Sequence, residues 1–147
     1  MKKLRLYVGC SLTQAPEEFR KEVEELKREL GEYFEVFDFV GLVNGTPKDV
    51  YRWDIHRCVA NCDLFVAICD YPAIGLGYEM AVAIEKFGKP TLLLVRKGVS
   101  VSRLVLGIEH QLCTLEYYES RQDMVRLIRA KATPLLEQVD TTAEVHI

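Results

Sequence analysis

The sequence predicts an α/β fold, a three-layer flavodoxin-like or Rossmann-like sandwich on a five-stranded parallel sheet in the order 2-1-3-4-5. Three observations lead there. Strand-like and helix-like segments alternate along the chain. The strand candidates are apolar almost throughout. Glycine, proline and capping residues fall between the segments. Near-continuous apolar strands joined through helices mean a parallel sheet covered on both faces. In this order the chain reverses direction between the first and third strands, and ligands bind beyond the carboxyl ends of the strands at that point.

Each element carries its own signal. Leu4 to Gly9 reads as a buried strand. Pro16 opens a helix whose apolar residues Phe19, Val23, Leu26 and Leu30 share one face, and Gly31 ends it. Tyr33 to Val40 reads as the second strand. Thr46-Pro47-Lys48-Asp49 has the pattern of a capping box with proline at the first helical position, and that helix runs to about Ala60, closed by Asn61. Asp63 to Cys69 is the third strand. A helix follows from about Gly77 to Phe87, then a fourth strand from Thr91 to Val95. A short helix near Ser102 to Leu106 precedes a fifth strand near Leu112 to Leu115. Ser120 with Asp123 caps the last helix, whose core face carries Met124, Leu127, Ile128 and Leu135.

Composition narrows the function classes. The chain has 147 residues, 49% hydrophobic and 28% charged, with a formal net charge of −3. That suits one globular domain, expected over residues 1–137 with a loose polar tail over 138–147. A nucleic-acid polymer as partner would need a basic footprint, and no long basic stretch occurs. The apolar runs are strand-sized, too short to span a membrane as helices. The basic start, Met1 to Arg5, is followed by an apolar run broken at Ser11 and Thr13, so a cytoplasmic location is expected in place of secretion. The cysteines (Cys10, Cys58, Cys62, Cys69 and Cys113) are odd in number and match no disulfide or zinc spacing; reduced, buried thiols are expected. His56, His110 and His146 lack metal-ligand spacing, so neither metal nor cofactor is expected.

Two loops meet at the switch point, Cys10 to Ala15 and Asp70 to Tyr78. The second, ending Gly75-Leu76-Gly77-Tyr78-Glu79, joins a buried strand to a helix, and its glycines would let the backbone approach a ligand. Glu79 is expected in the first helical turn, where an acid can also merely complement the helix dipole. Asp54 shares a helical stripe with Val50 and Cys58, while Arg52 and His56 take the solvent side. An inward carboxylate needs a partner, a ligand or a water-filled cleft, and a buried ion pair with an arginine is the structural alternative. Tyr7 lies in the first strand near the same point, where a tyrosine can also be plain core. Ser102 can be a helix N-cap. Trp53 beside Tyr51 reads as packing or a pocket wall.

Taken together, these residues resemble the nucleoside 2-deoxyribosyltransferase family, including its branch of 2′-deoxynucleoside 5′-phosphate N-hydrolases. The likeness runs from about Leu4 to Leu115 and rests on Tyr7-Val8-Gly9-Cys10-Ser11, Trp53-Asp54-Ile55, Gly75-Leu76-Gly77-Tyr78-Glu79, and Ser102 with Gly107. The resemblance implies that Glu79 attacks the anomeric carbon, that Asp54 lies beside the sugar and base, and that Tyr7 positions the nucleophile. It implies that Ser11 lies near the 5′ end of the substrate, and that Ser102 reaches the 5′-phosphate in a neighbouring subunit of a homodimer or larger assembly. It further implies cleavage of a 2′-deoxynucleoside through a deoxyribosyl-Glu79 intermediate, with transfer to another nucleobase. Hydrolysis of a nucleoside 5′-monophosphate is the alternative within that family. A nucleotide-binding sensor without turnover is the alternative outside it.

Overall fold

The computed structural model describes residues 2–42 and 44–145, with side chains described to Gln138. The elements in chain order are β1 (Arg5–Cys10), α1 (Glu17–Leu30), β2 (Glu35–Phe37), α2 (Pro47–Trp53), β3 (Leu64–Ile68), α3 (Ile74–Ala81), β4 (Thr91–Arg96), α4 (Arg103–Leu106), β5 (Cys113–Tyr118) and α5 (Arg121–Val145). All five strands are parallel and lie in the order β2-β1-β3-β4-β5, as the sequence predicts. β1 and β3 are in register from Leu6 opposite Leu64 to Cys10 opposite Ile68, so their carboxyl ends finish side by side at the switch point.

Side chains along a strand alternate between faces, and β1 shows what that does here. Leu6, Val8 and Cys10 pack on one face with Val23 and Leu26 of α1 and Ile128 of α5. Tyr7 turns to the other face with Phe65 and Ala67 of β3, Leu76 and Met80 of α3, and Ile55, Cys58 and Val59 beyond α2. The candidate site therefore belongs to the second layer.

Helix ends follow the capping chemistry expected of them. Thr46 Oγ1 accepts from the Asp49 N–H at 3.2 Å, and the Asp49 carboxylate accepts from the Thr46 N–H at 2.9 Å. Ser120 Oγ accepts from the Asp123 N–H at 3.1 Å. α1 ends at Gly31.

Four elements depart from the sequence expectation by more than one residue at an end. β2 is only three residues long, because beyond Phe37 the chain is drawn off the sheet: Lys27 pairs with Asp38 at 3.0 Å, and Trp53 Nε1 donates to the Asp38 carbonyl at 2.6 Å. β5 extends past Leu115 to Tyr118, whose side chain is fully buried. α5 runs beyond Gln138 to Val145, since extending an existing helix adds a hydrogen bond for each residue fixed; residues 146 and 147 of the expected loose tail lie outside the described residues. α3 starts at Ile74, ahead of Gly77, because burial of Leu76 and Met80 offsets the weak helix propensity of Gly75 and Gly77. Two π-helical stretches were also not legible: Asp54–Val59 continues α2, and Val82–Lys86 continues α3.

Candidate active site

The two loops at the switch point are joined directly: Ser11 Oγ donates to the Pro72 carbonyl at 3.1 Å. Beside them lies a cleft of about 620 Å³, walled by the loop after β1, Gly41 and Leu42, Val50 and Asp54, and the first turns of α3. Its size is that of a small-molecule site, typically about 300–1,000 Å³. Glu79, Asp54, Ser11 and Gly75 all line it. Gly77 and Ser102 do not. They border a second cavity of about 350 Å³ on the other side of the Pro72–Ile74 segment.

Glu79 is not in the first turn of its helix, so the helix-dipole account of this acid falls away. Its carboxylate meets the layer below: Tyr7 Oη donates to Glu79 Oε2 at 2.5 Å. Tyr7 is fully buried, its ring stacked on Phe65 with centroids 5.7 Å apart. Burial, then the charges of Glu79 and Asp54, hold its phenol protonated well above the usual range, so it remains a donor. Burial pushes the Glu79 carboxyl from an ordinary 4.5 up to about 7; the Tyr7 hydrogen bond pulls the other way and the Asp54 charge adds to the rise. Near neutral pH Glu79 is therefore poised between acid and carboxylate, as a group in acid–base or nucleophilic work must be.

Asp54 points inward, as its stripe requires: Cys58 one turn on is buried, while Arg52 and His56 are exposed. Its Oδ1 accepts from the Val40 N–H at 3.0 Å, and among the described residues no arginine or lysine pairs with it. The structural alternative of a buried ion pair thus gives way to a cleft carboxylate held by one backbone donor. Burial raises its pKa and the Val40 N–H lowers it. Asp54 is also the first residue of a π-helical stretch, a distortion frequent at functional sites.

The other candidates occupy plainer positions. Gly75 and Gly77 sit inside α3 with ordinary helical backbone, and a side chain added at either would meet open space. Ser102 is the N-cap residue of α4, its carbonyl accepting from the Leu106 N–H at 3.1 Å, but its side chain makes no capping hydrogen bond. Trp53 is half-exposed, with the Arg57 guanidinium 4.6 Å above its ring. All five cysteines are free, and burial pushes the Cys10 thiol up to about 12, which removes it as a nucleophile near neutral pH. Among the described residues no cluster of three or more His, Cys, Asp or Glu side chains could hold a metal ion.

Two contributors escaped sequence reading. Gly9 faces the same layer as Tyr7, and a Cβ there would lie 3.0 Å from Leu76 Cδ1 and 3.4 Å from Glu79 Oε1. Its bare backbone lets α3 come close enough for Tyr7 to reach Glu79. A glycine inside an apolar strand is the signal, since it often marks close approach. Asp70, at the start of the β3–α3 loop, accepts from the Arg96 N–H at 2.8 Å and from the Tyr118 hydroxyl. It ties the cleft wall to the ends of β4 and β5. Tyr118 was out of reach because it lies beyond the expected end of β5.

With this geometry in view, the chain can be set beside known proteins, first by fold and then by sequence. The fold matches that of a CMP N-glycosidase from Clostridium botulinum, BcmB, with a TM-score of 0.60 and 21% identity, over 85% of this chain and 98% of that one. At that identity the likeness is one of fold. In sequence, the chain is 37% identical over 65 residues to a Thermofilum pendens protein named as a 2′-deoxynucleoside 5′-phosphate N-hydrolase. That match covers 43% of this chain and 44% of the relative, less than half of its length. No protein-family model matches the chain. Among the described residues no helix is long and apolar enough to cross a membrane.

Proposed function

We propose that this chain is an enzyme that cleaves the N-glycosidic bond of a nucleoside-type substrate, with Glu79 as nucleophile. One observation carries the reading: a buried tyrosine hydroxyl donates at 2.5 Å to a carboxyl group in a cleft that holds a second carboxyl, Asp54. A module that only binds a nucleotide has no need of two carboxyls in its cleft.

The chemistry follows from the charges. As the bond from the anomeric carbon to the base nitrogen breaks, its electron pair leaves with the base and positive charge builds on the sugar, much as in glycoside hydrolysis. The Glu79 carboxylate stabilises that charge and then bonds to the carbon as an ester. Tyr7 aims the carboxylate through its hydrogen bond. Asp54, with a pKa raised by burial, can pass a proton to the departing base. A second nucleophile then attacks the same carbon and frees Glu79. If that nucleophile is another nucleobase the reaction is transfer of the sugar, and this is the reading we favour for a 2′-deoxy sugar. If it is water the reaction is hydrolysis, which the names of the two similar proteins support.

Assembly is part of the same proposal. Ile74 and Leu104 are 97% and 76% exposed and Leu106 nearly half, an apolar surface suited to a homodimer or larger homo-oligomer. The test of function is a deoxynucleoside panel, incubated with and without a second free base and followed by chromatography. Free base in every arm with deoxyribose supports hydrolysis, and a new deoxynucleoside supports transfer. Tight binding with no base release would leave only the sensor.

A further inference from the structure

We propose that the cleft selects an uncharged nucleoside and disfavours its 5′-monophosphate. This rests on the N-glycosidase reading of the same cleft and specifies its substrate class. Two carboxyl groups, Glu79 and Asp54, are the titratable side chains of its wall, together with the thiol of Cys10. The rest is neutral: Ser11, Thr13 and Gln14 on one side, Leu42 and Val50 on another. All 19 lysines and arginines of the chain lie among the residues whose side chains are described, and none of them lines the cleft.

Three cations on neighbouring elements have partners of their own, while Arg52 and Arg103 are exposed and do not line the cleft. Lys27, almost fully buried, is paired with Asp38 at 3.0 Å and Glu24 at 2.9 Å. Arg96 is bound to Glu22 at 3.3 Å and lies 3.8 Å from Asp70. Arg57 rests on Trp53. Ser102, in the adjoining cavity, is neutral and would bring no charge from a neighbouring copy.

A phosphate monoester carries roughly −1.5 to −2 near neutral pH and calls for arginine or lysine. Here it would meet carboxylates. The exposed first turn of α3 offers in return about half a positive charge from its dipole, less than one carboxylate. Its N–H groups can donate to a sugar hydroxyl or a base carbonyl as well as to an anion. A phosphate in the cleft would also hold Glu79 protonated to higher pH and so deplete the nucleophile.

The experiment compares kcat/KM for one deoxynucleoside and its own 5′-monophosphate on the full-length native assembly, at low salt and at roughly 0.5 M salt. The expected result is a preference of about tenfold or more for the nucleoside, from like-charge repulsion in a partly desolvated site, with the gap narrowing as salt rises. Thr13→Lys should raise the monophosphate-to-nucleoside ratio. Equal or better use of the monophosphate, or a monophosphate rate that falls with salt, overturns the inference; a cation supplied by a neighbouring copy would appear in that way. Release of base from neither compound defeats the N-glycosidase reading instead. Calorimetric titration of the wild type then decides the charge question alone, with tighter binding of the nucleoside upholding it and tighter binding of the monophosphate overturning it.

Discussion

Replacing Glu79 by glutamine separates what the residue does for the reaction from what it does to the fold. The carboxyl is shifted from 4.5 to about 7, chiefly by burial. Between those values the folded chain keeps a proton that the unfolded chain has released. The wild type therefore loses stability as pH rises through that window. A rise from 4.5 to about 7 corresponds to at most about 3 kcal/mol, less wherever solvent in the open cleft screens the charge. Glutamine does not titrate, is nearly isosteric, and can still accept from Tyr7. The stability of Glu79→Gln relative to wild type should therefore grow by up to about 3 kcal/mol between pH 4.5 and pH 8. At roughly 2–4 °C per kcal/mol for a domain of this size, the thermal midpoint difference would widen by up to about 10 °C. Base release should fall by several orders of magnitude, since an amide neither attacks the anomeric carbon nor stabilises its charge. Paired urea melts at the two pH values, with a chromatographic assay at each, measure both effects. A stability difference unchanged between pH 4.5 and pH 8 would refute the burial argument, and near-normal turnover would refute the nucleophile.

Three further substitutions test the neighbours. Tyr7→Phe removes the interaction that lowers the Glu79 pKa, so the rise of activity with pH should move to higher pH than in the wild type and kcat should fall about 10- to 100-fold; an unchanged pH–rate profile contradicts this. Asp54→Asn should lower turnover by about 10²- to 10⁴-fold with the melting midpoint within a few degrees of wild type. A sharp fall in midpoint with normal turnover of the folded fraction would make Asp54 structural. Gly9→Ala puts a methyl group 3.0 Å from Leu76 and 3.3 Å from Phe65, which should cost about 1–3 kcal/mol in urea denaturation and reduce base release as α3 is pushed outward; wild-type values of both would show that the contact is slack.

The parts of the fold legible in the sequence were those set by local patterning. Apolar strands between helices gave the sheet order, and Thr46-Pro47 and Ser120 gave helix starts that the hydrogen bonds reproduce. The inward aim of Asp54 was also readable, since Val50, Cys58, Arg52 and His56 define its stripe. What could not be read depends on tertiary contact. The early start of α3 follows from burial of Leu76 and Met80 against the sheet, which outweighs two glycines. The π-helical turn at Asp54 has no local signature in Asp54-Ile55-His56. The importance of Gly9 and Asp70 arises from partners far away in the chain, Phe65, Leu76 and Glu79 for one and Arg96 and Tyr118 for the other.

The alternation along β1 gives this strand something like a reading frame. Its even positions, Leu6, Val8 and Cys10, serve the layer of α1 and α5, and its odd positions, Tyr7 and Gly9, serve the layer of the cleft. Volume-conserving exchanges at Leu6 and Val8, which do not line the cleft, can alter stability with the cleft left intact, so the two properties can drift separately. Inserting or deleting one residue within the strand shifts the frame, sends the tyrosine hydroxyl to the wrong layer, and abolishes both properties together.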